Sequence, residues 1–117
     1  MRLKNILIAV ENIERSKELY QRLFGLRIKN DFEENVIFMG GLVLQEKAMW
    51  EAYTGRLFRS GNTSELFFET SEFDAFLEKL NSFPEVTVIR GPMVNAWGKR
   101  VILLQDPDEH WIEVAEE

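Results

Sequence analysis

Apolar and polar residues follow the same order twice along this chain. A nearly continuous apolar run is followed by an amphipathic helical pattern and then by three short strand-like segments, and the series recurs in the second half. The predicted strands are 2–10, 26–32, 36–39, 42–46, 65–70, 86–90, 99–104 and 110–115, and the predicted helices are 13–24 and 71–83. The pattern therefore predicts an α+β fold made of two βαβββ modules.

Turn and capping residues mark the ends of the predicted elements. Asn12 is an N-cap candidate for the first helix, and Gly25 follows that helix as a stop. Ser71 and Asp74 resemble a capping box for the second helix. Residues 47–64 show no clear period and are interpreted as connecting structure. We expect one domain over 1–117, with repeats 1–50 and 62–117 joined by a connector at 51–61.

The two halves can be aligned at an offset of sixty residues. Asn5 then falls on Glu65, and Ile13 falls on Phe73. The match is one of pattern rather than of identity, but the same five elements recurring in the same order favour an internal duplication.

Composition excludes several kinds of chemistry. The chain has 117 residues, enough for one domain with a core, and it contains no Cys and a single His, His110. Cysteine nucleophiles, zinc-thiolate sites and two-histidine metal sites within one chain are therefore excluded. A net charge of −6 argues against nucleic acid as a partner. No apolar run approaches a membrane span and no signal-peptide cleavage site is evident, so we expect no membrane association and a cytoplasmic protein.

Three stretches carry a resemblance to a known family: residues 10–16 (VENIERS), 20–26 (YQRLFGL) and 106–114 (DPDEHWIEV). They resemble the vicinal-oxygen-chelate superfamily, which contains glyoxalase I, bleomycin-resistance proteins and extradiol dioxygenases. Glu109 stands where the family turn more usually has Gly. The resemblance implies an open, cupped mixed sheet with helices outside, a ligand cleft inside, and a homodimer.

The resemblance also implies where metal ligands would lie. In metal-dependent members four strand positions supply ligands, commonly His and Glu, and here these positions fall on Asn5, Gln45, Glu65 and Glu113. Two amides and two carboxylates lack the nitrogen ligands that favour nickel, zinc or iron. We therefore expect no metal and no cofactor, the alternative being a hard divalent cation held through oxygen.

Glu65 and Glu113 are the candidate catalytic residues. Facing one cleft, they could act as a general acid and base, they could form hydrogen bonds with polar neighbours, or they could attract a cation. His110 shares a strand face with Ile112, which favours a packed histidine over a proton carrier.

Four aromatic residues complete the predicted ligand-binding set. Trp111 shares a strand face with Glu113, and Trp50, Tyr53 and Trp97 lie in segments interpreted as loops. Aromatic side chains in loops often line pockets, although burial beneath the connector or in a dimer contact is an equal alternative.

These residues favour a metal-independent protein that binds a small organic molecule, cationic or aromatic, in the manner of sequestration or antibiotic-resistance proteins. One alternative is a metal-dependent lyase, isomerase or dioxygenase of the glyoxalase type. Another is a dimeric interaction module with a vestigial cleft.

Overall fold

Eight strands and three helices are present in a computed structural model that describes residues 1–59, 61 and 63–117. In chain order they are β1 (Ile6–Val10), α1 (Ile13–Arg22), β2 (Ile28–Asp31), β3 (Asn35–Phe38), β4 (Leu42–Glu46), α2 (Lys47–Thr54), β5 (Glu65–Thr70), α3 (Phe73–Leu80), β6 (Thr87–Val94), β7 (Arg100–Gln105) and β8 (Trp111–Glu116). The predicted α+β class with two βαβββ-like modules is confirmed. No helix among the described residues is long and apolar enough to cross a membrane.

The chain divides into two units, Met1–Arg59 and Ser60–Glu117. Unit 1 holds a four-stranded sheet of order β1-β4-β3-β2, in which only β1 and β4 run parallel. The helix α1 begins after Asn12, whose side-chain oxygen accepts the Arg15 N–H at 3.0 Å. Its buried face includes Leu19 and Tyr20, and the Tyr20 ring lies 6.3 Å from the Phe38 ring, so α1 covers one face of this sheet.

Unit 2 repeats this arrangement with the order β5-β8-β7-β6, in which only β5 and β8 are parallel. The helix α3 buries Phe73, Phe76 and Leu80. The central strand β8 alternates strictly at its start, since Ile112 and Val114 are buried while Trp111 and Glu113 are only half-buried. One face of this sheet therefore belongs to the core and the other is open.

The duplication is visible in the helices and in the strand register. Both α1 and α3 begin at positions sixty residues apart, Ile13 and Phe73. In the last strand of each module the offset becomes seventy, because Leu7 pairs with Val43 while the equivalent Phe67 pairs with Glu113. Unit 2 therefore carries ten additional residues between its helix and its final strand.

The interpretation of residues 47–64 as connecting structure is wrong for its first part. Residues Lys47–Thr54 form α2, which ends at Gly55 with a φ of 70°. No residue of α2 is buried, so this helix contributes no side chain to a core. Its length of eight residues leaves room for only about two turns of a helical pattern.

Two further predictions at element boundaries need correction. The helix α3 begins after Glu72, and the Glu72 N–H donates to the Thr70 hydroxyl at 3.0 Å, so the capping box expected at Ser71 does not form. The predicted turn at Gly91 and Pro92 lies within β6. There β6 departs from regular pairing with β7 on both sides of Arg90, which lets a proline occupy a strand at the edge of the sheet.

Candidate functional site

Glu65 and Glu113 lie on the open face of the unit 2 sheet. They belong to the adjacent parallel strands β5 and β8, where Glu65 pairs with Trp111 and Glu113 pairs with Phe67. The two carboxylates are therefore diagonal neighbours, two residues apart in register and on the same face. Glu65 is exposed and Glu113 is half-buried.

The two carboxyl groups influence each other directly. Partial removal of water, the negative charge of Glu113 and a hydrogen bond with Glu113 together raise the pKa of Glu65 above the usual value for a glutamate. Holding both carboxylates ionised on one face costs free energy. A cation bound between them would lower this cost, and a proton shared by the pair would do the same.

Aromatic surface surrounds the carboxylate pair. Trp111 is half-buried beside Glu65, and Phe67 is 57% exposed beside Glu113. Trp111 and Glu65 also line a broad, open depression of about 400 Å³ with Thr63 and Ser64. The combination of negative charge with aromatic faces and hydroxyl groups suits an organic cation.

The predicted amide residues of unit 1 are not brought together. Asn5 is half-buried just before β1, next to Gly41, whereas Gln45 pairs with Ala9. Four residues of strand separate Asn5 from Ala9, which corresponds to about 13 Å along the sheet. Gln45 instead accepts a hydrogen bond from the Asn35 amide at 2.8 Å and donates to the Glu34 carbonyl at 3.2 Å.

The register also corrects the position assigned to Gln45. Leu7 of β1 is the equivalent of Phe67 of β5, and their partners are Val43 and Glu113. Val43, not Gln45, is therefore the counterpart of Glu113. The prediction relied on local sequence similarity between β4 and β8. A shift of two residues leaves every side chain on the same face, so this similarity does not distinguish between the two registers.

The predicted aromatic residues are distributed over both units. Trp50 and Tyr53 lie in α2 rather than in loops, and the Trp50 ring contacts the Phe58 ring edge-on at a centroid distance of 5.8 Å. Tyr53 is 93% exposed, and Trp97, in the turn between β6 and β7, is 84% exposed. Of the four, only Trp111 adjoins the carboxylate pair within unit 2.

His110 is half-buried and its backbone closes the turn before β8. The His110 N–H donates to the Asp106 carboxylate at 2.9 Å, and the His110 carbonyl accepts the Asp106 N–H at 3.1 Å. Glu109 in the same turn has a φ of 67°, in the left-handed region that glycine adopts most easily. The turn thus keeps a glycine-like backbone even though a glutamate replaces the usual glycine.

The donor atoms do not fit the four-ligand metal set of the metal-dependent family members. The four equivalent positions hold Asn5, Val43, Glu65 and Glu113, and a valine side chain has no donor atom. Among residues 1–59, 61 and 63–117, no three or more His, Asp or Glu side chains are grouped so as to hold a metal ion.

Sequence reasoning missed the polar partners of Gln45 and a group of basic residues in unit 1. Asn35 lies one strand away from Gln45, so the pattern along the chain contains no sign of their hydrogen bond. Lys4 and Lys29 line a cleft near the start of β1. Their only sequence signal was a positive charge close to a strand, which is common on protein surfaces.

Comparisons with known proteins show the family and the fold of the chain. A family model described as the Glyoxalase-like domain matches residues 3–117, and the chain therefore belongs to this family, within the glyoxalase, bleomycin-resistance and dioxygenase superfamily. A crystal structure of a protein of unknown function from Agrobacterium tumefaciens is 32% identical, with a TM-score of 0.85, over 100% of this chain and 94% of that one.

Two more distant structures share the fold. A glyoxalase/bleomycin resistance protein/dioxygenase family enzyme from Burkholderia phytofirmans is 15% identical, with a TM-score of 0.81, over 97% of this chain and 96% of that one. A member of the same superfamily from Sphaerobacter thermophilus is 22% identical, with a TM-score of 0.71, over 100% and 98%. The search of curated protein sequences gave no significant match.

Proposed function

We propose that the protein binds a small organic cation with an aromatic body on the open face of unit 2, without a metal ion, and acts by sequestration. The observation that carries the proposal is the carboxylate pair Glu65 and Glu113 beside Trp111 and Phe67. Members of the superfamily bind small molecules, which agrees with a ligand-binding role.

The energetics favour a cationic ligand. Like charges on neighbouring strands destabilise each other. An ammonium or related group near Glu65 and Glu113 is attracted to both carboxylates, and these two attractions offset the repulsion between them. The faces of Trp111 and Phe67 add cation–π and apolar contacts, each worth about 0.5–2 kcal/mol depending on how much water is removed.

Sequestration is favoured over metal-dependent catalysis because of the donor set. The metal-dependent members use ligands at four positions, and this chain has Val43 at one and the neutral amide of Asn5 at another. Unit 2 has a carboxylate at each of its two positions, Glu65 and Glu113. Two negative charges on this face support binding of a positively charged molecule in its own right.

The test is titration of the metal-stripped protein with benzyltrimethylammonium, which has both an aromatic ring and a fixed positive charge. We expect saturable heat in calorimetry and a matching rise in melting temperature, since a ligand that binds only the folded state stabilises it. Glu113→Gln and Trp111→Leu should each weaken binding. Glu78→Gln, an exposed substitution on α3 with the same change of charge, should not.

Other outcomes would support the alternatives. Near-stoichiometric divalent metal in the purified protein, lost in Glu113→Gln, would contradict the proposal and favour the metal-dependent lyase or dioxygenase. Full indifference of binding to Glu65→Gln, Glu113→Gln and Trp111→Leu would favour the interaction module.

We also propose that the protein forms a homodimer. β1 is an edge strand of its sheet, and its residues Ile6 and Leu7 are exposed. Apolar side chains on an unpaired strand edge favour association with a second copy. Sedimentation equilibrium measures the mass directly, and a monomer at high protein concentration would refute this proposal.

A further inference from the structure

A cleft of about 340 Å³ in unit 1 is lined by three basic residues, Arg2, Lys4 and Lys29. Two amides, Asn5 and Asn30, line it as well, and no Asp or Glu among the described residues does. The basic side chains provide positively charged hydrogen-bond donors, and the amides provide neutral donors and acceptors. None of these groups carries a negative charge. The cleft therefore has the chemistry of an anion site.

The basic residues of the cleft are not neutralised within the described part of the chain. Ion pairs of unit 1 in this part include those of Lys17 with Glu14 and Asp31, and of Arg22 with Glu18. Arg2, Lys4 and Lys29 form no ion pair with any residue that the structure describes. Their charges remain available to a ligand.

The distribution of charge along the sequence agrees with this. Residues 1–59 contain ten Lys and Arg against eight Asp and Glu, whereas residues 60–117 contain four against twelve. Residues 1–59 therefore have a net charge of +2, although the net charge of the whole chain is −6. Electrostatic repulsion of an anionic ligand is therefore expected from unit 2 and not from unit 1.

Backbone features hold two of the lysines at the cleft. Gly41, with a φ of 102°, lets the segment before β1 approach closely, since a Cβ at this position would lie 3.2 Å from the Lys4 carbonyl oxygen. Ile28 pairs with Phe38 and Asn30 pairs with Ile37, so Lys29 is the extra residue of a β-bulge. Bulges redirect side chains and recur next to binding sites.

We infer that this cleft binds the dianionic group of a small molecule, a phosphate or a dicarboxylate. Lys4 and Lys29 supply the charge, and the amides of Asn5 and Asn30 supply neutral hydrogen bonds. The inference does not rest on the proposed cation site, because every residue involved belongs to unit 1.

The experiment follows backbone amide signals of the full chain by NMR during separate titrations with inorganic phosphate and succinate, at constant ionic strength set with chloride. We expect saturable shifts at Lys4, Lys29 and Gly41. Lys4→Gln and Lys29→Gln should each weaken the Kd about three- to ten-fold, the range for a partly exposed charged hydrogen bond. Lys79→Gln, on α3, removes the same charge and should leave the Kd unchanged.

The two probes distinguish between the two kinds of dianionic group, a phosphate and a dicarboxylate. Tighter binding of phosphate indicates a phosphorylated ligand, and tighter binding of succinate indicates a dicarboxylate. The inference is overturned if neither probe saturates, if chloride alone reproduces the shifts, or if Lys79→Gln weakens binding as much as the cleft variants do. Dispersed spectra of each variant confirm that it is folded.

Discussion

Glu65 and Glu113 face the same side of a parallel strand pair, and, beside partial removal of water, the nearby Glu113 carboxylate helps to raise the pKa of Glu65. Glu65 lies beside Trp111 at the start of β5, and Glu113 lies further along β8. A surface-facing pair of like charges opposes folding, so its presence marks a place where the sheet is built for something other than stability.

Glu65→Gln should increase stability at neutral pH by about 0.5 kcal/mol, because it removes a like-charge contact on a partly solvated face. A raised pKa in the folded state means that protonation favours folding. That contribution is complete below the pKa of the unfolded chain and is lost as pH rises through the pKa of folded Glu65. The gain should therefore grow from acidic to neutral pH.

Urea denaturation of Glu65→Gln and of the control Glu78→Gln across this pH range measures the effect. A difference between Glu65→Gln and the native protein that stays constant with pH, or a loss of stability at neutral pH, would contradict the predicted coupling.

Gln45→Ala should lower the free energy of unfolding by about 1 kcal/mol. The Gln45 side chain joins β4 to Asn35 of β3 and to the carbonyl of Glu34, and alanine leaves both partners without their hydrogen bond. Binding of benzyltrimethylammonium should not change.

A double-mutant cycle with Asn35→Ala checks the pairing. The double variant should lose less stability than the two single variants added together, because the second change removes a partner that is already gone. Loss of ligand binding with stability unchanged would instead make Gln45 a ligand residue.

Gly91→Ala should be destabilising by about 1–3 kcal/mol or more. Gly91 has a φ of 101°, and a Cβ there would lie 2.9 Å from the Val101 carbonyl oxygen and 3.3 Å from the Ile102 Cα. Neither backbone atom can move without disturbing β7.

Gly98→Ala is the matched control, since Gly98 also has a positive φ, 77°, but a Cβ there meets nothing within 4 Å. Its cost should be about 1 kcal/mol, that of the left-handed backbone alone. Equal midpoints for the two variants in urea would show that the contact with Val101 is unimportant.

Arg100→Leu should reduce stability at neutral pH and remove part of the acid sensitivity of the fold. Arg100 donates to Asp74 at 2.8 Å and to Glu116 at 3.0 Å, and its guanidinium lies 4.9 Å from the centre of the Phe73 ring. The side-chain hydrogen bond from Arg100 lowers the pKa of Asp74, and the backbone N–H of Arg100, followed by its side chain, lowers the pKa of Glu116.

Lowered pKa values contribute stability that is present above the usual range of these carboxyls and is lost as pH falls through the folded-state values. The gap between native protein and Arg100→Leu should therefore close on acidification. Thermal melting from neutral to acidic pH measures it. Arg22→Leu, which breaks an exposed pair on α1, should have a smaller effect.

The fold could be predicted from the sequence because its elements have strong periodicity. β4 and β5 have the bounds that were expected, and both helices that face a core were found from their apolar stripes. The helix α2 was missed because its eight residues span only about two turns, too short a window for a period to be distinguished.

The site was less predictable because it depends on pairing between strands. Glu65 and Glu113 were placed on one face correctly, since alternation within a strand decides the face. The predicted equivalence of Gln45 with Glu113 was wrong, because the register between β1 and β4 makes Val43 the counterpart. The sequence of one strand does not determine its register with another. The cleft with Lys4 and Lys29 depends on a bulge and on one close backbone approach, and neither has a sequence period.

The parallel pairing of β1 with β4 sets an order of events during synthesis on the ribosome. β1 emerges first, yet its partner Leu42–Glu46 is made only after α1, β2 and β3. The helix and the β2–β3 hairpin depend on local contacts and can form at once, whereas β1 waits with Ala9 and Val10, which are buried in the folded chain, still uncovered. Until residue 46 has been added to the nascent chain, β1 has no partner strand. This is the interval in which a chaperone would protect β1 from aggregation.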